Sequence, residues 1–340
     1  MKYWEGLMNT FRALVLGALT ALVPIAANAE IDELKFPVGA GGFGFLPLNM
    51  MQKHGLIEKF AAEAGVKVTV NWTNTGGPAA MNDALLSGSA HIVTAGPPAF
   101  LILWDRTKAS AGVKAIAAIS SMPMRLNARA DQLKVLDEVT EKQKIAVTSI
   151  KVSIPSIIMQ MYAQKKYGRD QTFRFDPVTV TMGHPDAVIG LLSGSGIVAH
   201  WASAPFDQRE RNDPAIRAIM NSDDIMGGST TFTLMSTTAR FQAENPKIYA
   251  AVLKALKRAQ GMIEEDRRAA AAVLLDSLGG KGWSVDELTA ILNDPSTKYT
   301  MKPENVMAYA NFMHDAGSLK NKPASIADLF FATPEIEGGN

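Results

Sequence analysis

The chain has 340 residues, no cysteine, and 34 Lys and Arg against 33 Asp and Glu, a formal net charge of +1. A balance this even excludes the clustered basic surface of a nucleic-acid binder, and zero cysteine excludes disulfides, thiolate metal sites and cysteine nucleophiles. The length suggests two lobes at roughly 150 residues each, with core enough to fold without disulfide support.

Residues 1–29 read as a cleavable secretory signal. Lys2 and Arg12 form a short positive region, and Ala13 to Ala27 is an apolar run too short and Pro-broken for a comfortable membrane span. Ala27-Asn28-Ala29 supplies a small-x-small cleavage signature before Glu30. Removing Lys2, Arg12 and Glu5 leaves a mature chain near zero net charge.

Two stretches then repeat the same order. In the first, Leu34–Val38 predicts a strand, 46–54 a helix, Val66–Trp72 an alternating strand, and Pro78 the start of a second helix. A strand over Ala90–Ala95 closes it. In the second, a strand at Lys144–Thr148 precedes a helix at 154–167, a strand at Val178–Met182, a helix opened by Pro185, and a strand at Ile197–Trp201. Leu85-Leu86-Ser87-Gly88-Ser89 and Leu191-Leu192-Ser193-Gly194-Ser195 are identical strings, and a Phe follows eleven residues after each, Phe100 and Phe206. This is an internal repeat.

Each half reads strand-helix-strand-helix-strand, the pattern of a parallel sheet covered by helices. The expected fold class is therefore α/β with two similar lobes, a ligand crevice at the carboxyl ends of the strands, and hinge closure. From Pro246 onward the chain is helical: Ile248–Glu265, Arg267–Leu278, Val285–Asn293 and Pro303–Ala316. Packed back onto the first lobe, these helices make it discontinuous, 30–121 plus 237–340, with 129–229 as the second lobe. Segments 122–128 and 230–236 are then the hinge crossovers.

Gly39-Ala40-Gly41-Gly42-Phe43-Gly44 spells GxGxxG, with Glu63 near the place of a ribose-binding acid. The pattern is weak alone, an exported chain has no nicotinamide cofactor at hand, and no Lys-Ser/Thr follows as in a P-loop. No cofactor is expected; the loop reads instead as one whose amides approach a ligand closely. Thr75-Gly76-Gly77, Gly96-Pro97-Pro98, Lys151-Val152-Ser153 and His184 before Pro185 also stand where strand hands over to helix. Pro in the first turn wastes no donor, and the remaining amides make anion sites. Singly each is an ordinary turn; their recurrence in both halves favours a ligand. The five histidines have no metal-ligand spacing, and no Ser sits in a GxSxG elbow. Phe43, Phe45 and Trp201 fall beside the crevice, either as core or as its apolar wall.

The runs FPVGAGGFGFLPLNMMQKHGLIEKF and NTGGPAAMNDALLSGSAHIVTAGPPAF resemble the substrate-binding proteins of nitrate/sulfonate/taurine-type ABC importers, whose superfamily includes thiamine-pyrimidine binders. KVSIPSIIMQMYAQKKYG and Ser203-Ala204-Pro205-Phe206 fit the same family in the second half. The family often has Asp where His91 stands, which leaves the capping at that place open. The resemblance implies a type II periplasmic binding protein fold and a monomer that captures a small anionic or zwitterionic solute in the periplasm. It would deliver that solute, without chemistry and without a metal, to an inner-membrane permease and its ATPase. Carried over by motif position, the ligand contacts are Gly42, Phe43, Gly44, Thr75, Gly76, Gly96, Pro97, Ser121, Lys151, Ser153, His184, Trp201 and Ser203. Lys151 and Arg125 are the available positive charges. Alternatives within the superfamily are a pyrimidine-precursor binder, an enzyme such as the pyrimidine synthases, whose Cys and His-rich motifs are missing here, or a periplasmic sensor domain.

Overall fold

The computed structural model describes residues 30–39 and 41–340, and the expected signal segment 1–29 lies outside the described residues. Ten strands are named in chain order. They are β1 (Glu33–Val38), β2 (Thr69–Asn74), β3 (Ile92–Ala95), β4 (Lys114–Ser121), β5 (Arg125–Arg129), β6 (Ile145–Val147), β7 (Thr179–Thr181), β8 (Ala199–Ala202), β9 (Ile216–Asn221) and β10 (Thr231–Thr237). Hydrogen-bonded ladders give the orders β1-β2, β3-β10-β4 and β7-β6-β8-β5-β9.

The first two ladders meet at a seam between β1 and β3. There the His91 amide donates to the Lys35 carbonyl at 2.9 Å, and the Lys35 amide donates to His91 Nδ1 at 3.1 Å. An imidazole thus stands in for a backbone carbonyl and makes one surface of order β2-β1-β3-β10-β4. The second lobe has the matching order, β7-β6-β8-β5-β9. Within each, the strands preceding helices run parallel, as in β1 with β2 and β6 with β7 and β8. One strand of each is antiparallel to both neighbours, β10 in the first and β5 in the second.

Those antiparallel strands occupy the expected crossovers. Segments 122–128 and 230–236 are largely β5 and β10, so the chain changes lobe over the shorter stretches 122–124 and 227–230. The crossing chain fills a sheet position because its backbone groups must pair once buried; β10 is buried along its whole length. The helices Pro246–Glu265 and Arg267–Ser277 pack on Leu46–Lys53, and the former also on Leu56–Glu63, all in the first lobe. The expected helix at Pro303 starts at Val306 instead. The Glu304 backbone is held across β10 by Thr231 in both directions at 2.9 Å, and Asn305 turns left-handed at φ 56 before the helix begins. Among the described residues no helix is long and apolar enough to cross a membrane.

The seam makes a claim about pH. His91 accepts a hydrogen bond only while Nδ1 is bare, and burial, with the Lys35 ammonium nearby, holds its pKa below the ordinary 6.5. The unfolded chain takes up that proton more readily. This contribution is therefore whole above pH 6.5 and is lost as pH falls through the folded value. His91→Asn puts a non-titrating oxygen in place of Nδ1 and should flatten the acid side of urea-unfolding stability. His91→Ala should cost about 1–2 kcal/mol at neutral pH, the loss of one part-buried acceptor. An unchanged acid slope in His91→Asn removes this role for the seam.

Candidate binding cleft

Where the parallel strands end, helices begin, and four of these junctions face one another. β2 leads through Thr75-Gly76-Gly77 to the helix Pro78–Leu86, and β3 through Gly96 to Pro97–Thr107. From the second lobe come the helices Ile154–Tyr167, after β6, and His184–Ser193, after β7. Their N-cap residues are Gly77, Gly96, Ser153 and Gly183, all with extended backbone, and none supplies a side-chain cap. Ser153 has the hydroxyl for it, but that hydroxyl donates back to the Ser149 carbonyl at 2.6 Å. The first-turn amides are left without intrahelical partners, at the positive ends of the helix dipoles.

These junctions border a small cavity of about 50 Å³ lined by Gly76, Gly77, Gly96, Thr148 and His184, with Phe45, Met124 and Phe232 as apolar wall. At roughly 10–15 Å³ for each water-sized group, that is room for a few such groups. An outer hollow shares Gly39, Phe45 and Gly76 with it and opens past Thr75, Gly183 and Phe206. Among the described residues lining either space there is no Lys, Arg, Asp or Glu. Two hydroxyls stand out. Thr94 and Thr233 line the inner cavity, each is 1% exposed, and neither Oγ1 has a hydrogen-bond partner within the protein. A buried hydroxyl left unpaired is costly, so such groups mark places where a partner belongs.

Behind His184 runs a buried polar chain. His184 Nδ1 lies 2.9 Å from His200 Nε2, and His200 Nδ1 lies 2.5 Å from Glu210 Oε1. Asn127 Nδ2 donates to Glu210 Oε2 at 2.8 Å, and at the other end Ser203 Oγ sits 3.4 Å from His184 Nε2. His184 also stacks on Phe206. Burial pushes the Glu210 carboxyl up, with the Asp207 charge adding to it, and burial holds both imidazoles down. The chain is thus a row of neutral groups. Asp207 beside it is ionic: Arg125 donates to it at 2.8 Å and Arg211 grips it through two bonds of 2.8 Å.

Of the sequence-derived residues, Gly76, Gly96 and His184 line the inner cavity and Thr75 the outer hollow. Gly42 and Phe43 join the lobes: the Phe43 amide donates to the Ala204 carbonyl at 3.1 Å, and a Cβ on Gly42 (φ +89) would stand 2.9 Å from that oxygen. Phe43 itself is fully buried, and the Gly44 carbonyl accepts from Ser120. Pro97 starts its helix buried, and Ser121 pairs by backbone with Lys298. Trp201 is wholly buried in β8, and Ser203 is buried against His184. Lys151 lies in a separate hollow with Gln160, Phe173 and Asp176, and Arg125 is committed to Asp207. Neither positive charge lines the cleft. Thr94, Thr148, Thr233, Asn127 and Glu210 were beyond the motif argument. Thr94 alone carried a signal, two residues before Gly96.

Across the cleft the backbones nearly touch at Gly77, where a Cβ would lie 2.4 Å from the Thr148 carbonyl of the opposite lobe. Gly77 has an ordinary extended conformation, so alanine is tolerated locally and blocked only by the other lobe. Gly77→Ala should hold the lobes apart, read as a larger radius of gyration in X-ray scattering without a loss of helix content. An unchanged radius would mean that this contact does not limit closure.

No family model and no curated protein matches the sequence. Solved structures do. The alkanesulfonate-binding protein SsuA from Xanthomonas axonopodis pv. citri, bound to MOPS, matches with TM-score 0.67 at 16% identity over 90% of this chain and 100% of its own. The periplasmic nitrate-binding protein NrtA from Synechocystis PCC 6803 gives TM-score 0.67 at 15% identity over 89% and 86%. A Candida albicans gene product described as having the generic periplasmic binding protein structural fold gives 0.64 at 11% over 91% and 99%. With two sheets of matched order, each completed by a crossing strand, the chain has the periplasmic binding protein fold.

Proposed function

We propose that this protein is the solute-binding component of an ABC importer. It captures a small anionic or zwitterionic solute, sulfonate- or nitrate-like, and hands it to a membrane permease with its ATPase. The observation that carries the reading is the convergence of four uncapped helix N-termini on a cavity that, among the described residues, is lined by no charged side chain. Such a site binds negative charge through fixed amides and dipoles, and the hydroxyls of Thr94 and Thr233 add donors. The lining carries no carboxylate to repel an anion. The sulfonate and nitrate named for two similar structures belong to the same chemical class. An export signal at 1–29 and a periplasmic location fit this role.

A serine beside a histidine chain invites a hydrolase reading. Ser203 is 1% exposed and lines neither space of the cleft, so its hydroxyl has no access to a substrate carbonyl, which favours binding over hydrolysis.

Nitrate, ethanesulfonate and taurine are the ligands to test by thermal unfolding and calorimetry. A ligand at a hundred times its Kd should stabilise by about 2.7 kcal/mol. Thr94→Val and Thr233→Val should each weaken binding by about 5- to 10-fold, one hydrogen bond's worth. Lys151→Ala should leave the affinity within about twofold, since a charge in a separate hollow acts weakly through solvent. No stabilisation by any of the three at millimolar concentration sets the anion reading aside.

A further inference from the structure

The buried chain Glu210–His200–His184–Ser203 has two hydrogen-bonding polarities, and only one suits an anion. When Glu210 carries a proton, it donates to His200 Nδ1. His200 then donates from Nε2 to His184 Nδ1, and His184, a residue of the cavity lining, carries its own proton on Nε2, 3.4 Å from Ser203 Oγ. When Glu210 is ionised, His200 must donate to it from Nδ1, so its Nε2 is bare and accepts from His184 Nδ1–H. The outer nitrogen of His184 is then a bare lone pair. The distances of 2.5 and 2.9 Å put each pair in hydrogen-bond contact, so neutral rings share one proton across each contact.

We propose that His184 is the specificity-determining donor of the cleft, and that through His200 and Glu210 it makes the solute an anion taken up together with one proton. The inference rests on the anion-binding reading above. Conversion between the polarities moves no group. The Nε2 proton of His184 is released, the His200 Nε2 proton moves to His184 Nδ1, the Glu210 proton moves to His200 Nδ1, and the negative charge appears on Glu210. With both residues 0% exposed, Glu210 exchanges its proton through this row.

The surroundings favour the protonated form. Glu210 faces His200 of β8, Asn127 of β5 and, on its own helix, Asp207. The Asp207 charge is met by Arg125 and Arg211, which themselves lie near Asp294, and Arg125 near Asp223. His184 faces His200, Ser203 and the Phe206 ring, with Asp186 in the first turn of its own helix. Burial and the Asp207 charge raise Glu210 to about 8, against one opposing bond from Asn127. The folded carboxyl thus holds its proton at neutral pH and loses it as pH rises through that value. Ionisation sets both a lone pair and a buried negative charge behind the anion, and both weaken its binding.

The first test needs no ligand. Nitrogen-15 spectra of histidine-labelled protein should show His184 and His200 both as Nε2–H tautomers at about pH 6 and both as Nδ1–H tautomers at about pH 10. Glu210→Gln, whose oxygen takes the Asn127 bond and so leaves its NH2 to donate to His200, should keep both in the Nε2–H form throughout. Tautomers that do not change, or rings that become doubly protonated instead, overturn the proposal. Calorimetry with ethanesulfonate in buffers of different ionisation enthalpy then reads the link. No proton is taken up at about pH 6, one at about pH 10, and affinity falls about tenfold per unit above the midpoint. Glu210→Gln should lose that alkaline fall. Binding with no proton uptake at any pH overturns the proposal and leaves the anion-binding reading standing. No binding of ethanesulfonate or nitrate at any pH, with the tautomer change present, overturns that reading and leaves the proton row in place.

Discussion

A buried crossing segment has to pair its backbone, and most of this molecule follows from how that need is met. Leaving one sheet, the chain enters the other as its fourth strand, antiparallel to both neighbours, once as β5 and once on return as β10. Each lobe is thus completed by chain belonging to the path between lobes. The parallel strands that remain direct their carboxyl ends, and the helices after them, toward the space between the sheets. Four helix N-termini meet there because of topology, and the positive potential of the cleft is a property of backbone. A lysine would have brought a flexible, hydrated charge. Helix ends bring fixed donors that lose little entropy when a solute binds.

What was legible in the sequence was what local pattern encodes. The duplicated Leu-Leu-Ser-Gly-Ser strings, the Pro residues that open helices, and the alternating strands each lie within a short window, and the two-lobed α/β fold could be assembled from them. The crossing segments were read as strands passing between the lobes, but their place inside each sheet was not legible, because β10, TFTLMST, is buried on both faces and so lacks the alternation that marks a half-buried strand. The site residues divide the same way. Gly76, Gly96 and His184 stand at strand-to-helix junctions, which is how position singled them out, and all three line the inner cavity. Trp201 was not separable from His200 by motif, yet neighbours on a strand point to opposite faces, and it is His200 that turns toward His184. Glu210 sits in DQRER, which reads as a solvated helix face. Its meaning comes from Asn127, 83 residues away.

The two polar systems of the second lobe are kept electrically distinct. Asp207 is fully buried on its carboxylate side, and two guanidiniums neutralise it outside the cavity lining. Glu210, one turn further along the same helix, meets only Asn127, His200 and the Asp207 neighbourhood. A buried charge is tolerated when paired and otherwise gives way to its neutral form, so the two carboxyls take opposite states for the same physical reason. The cavity therefore sees helix dipoles and neutral donors, undisturbed by a side-chain charge. Of the groups behind it, Glu210 can change that field by a full unit without moving an atom heavier than hydrogen. That places control of what the cleft accepts in a residue that does not line it.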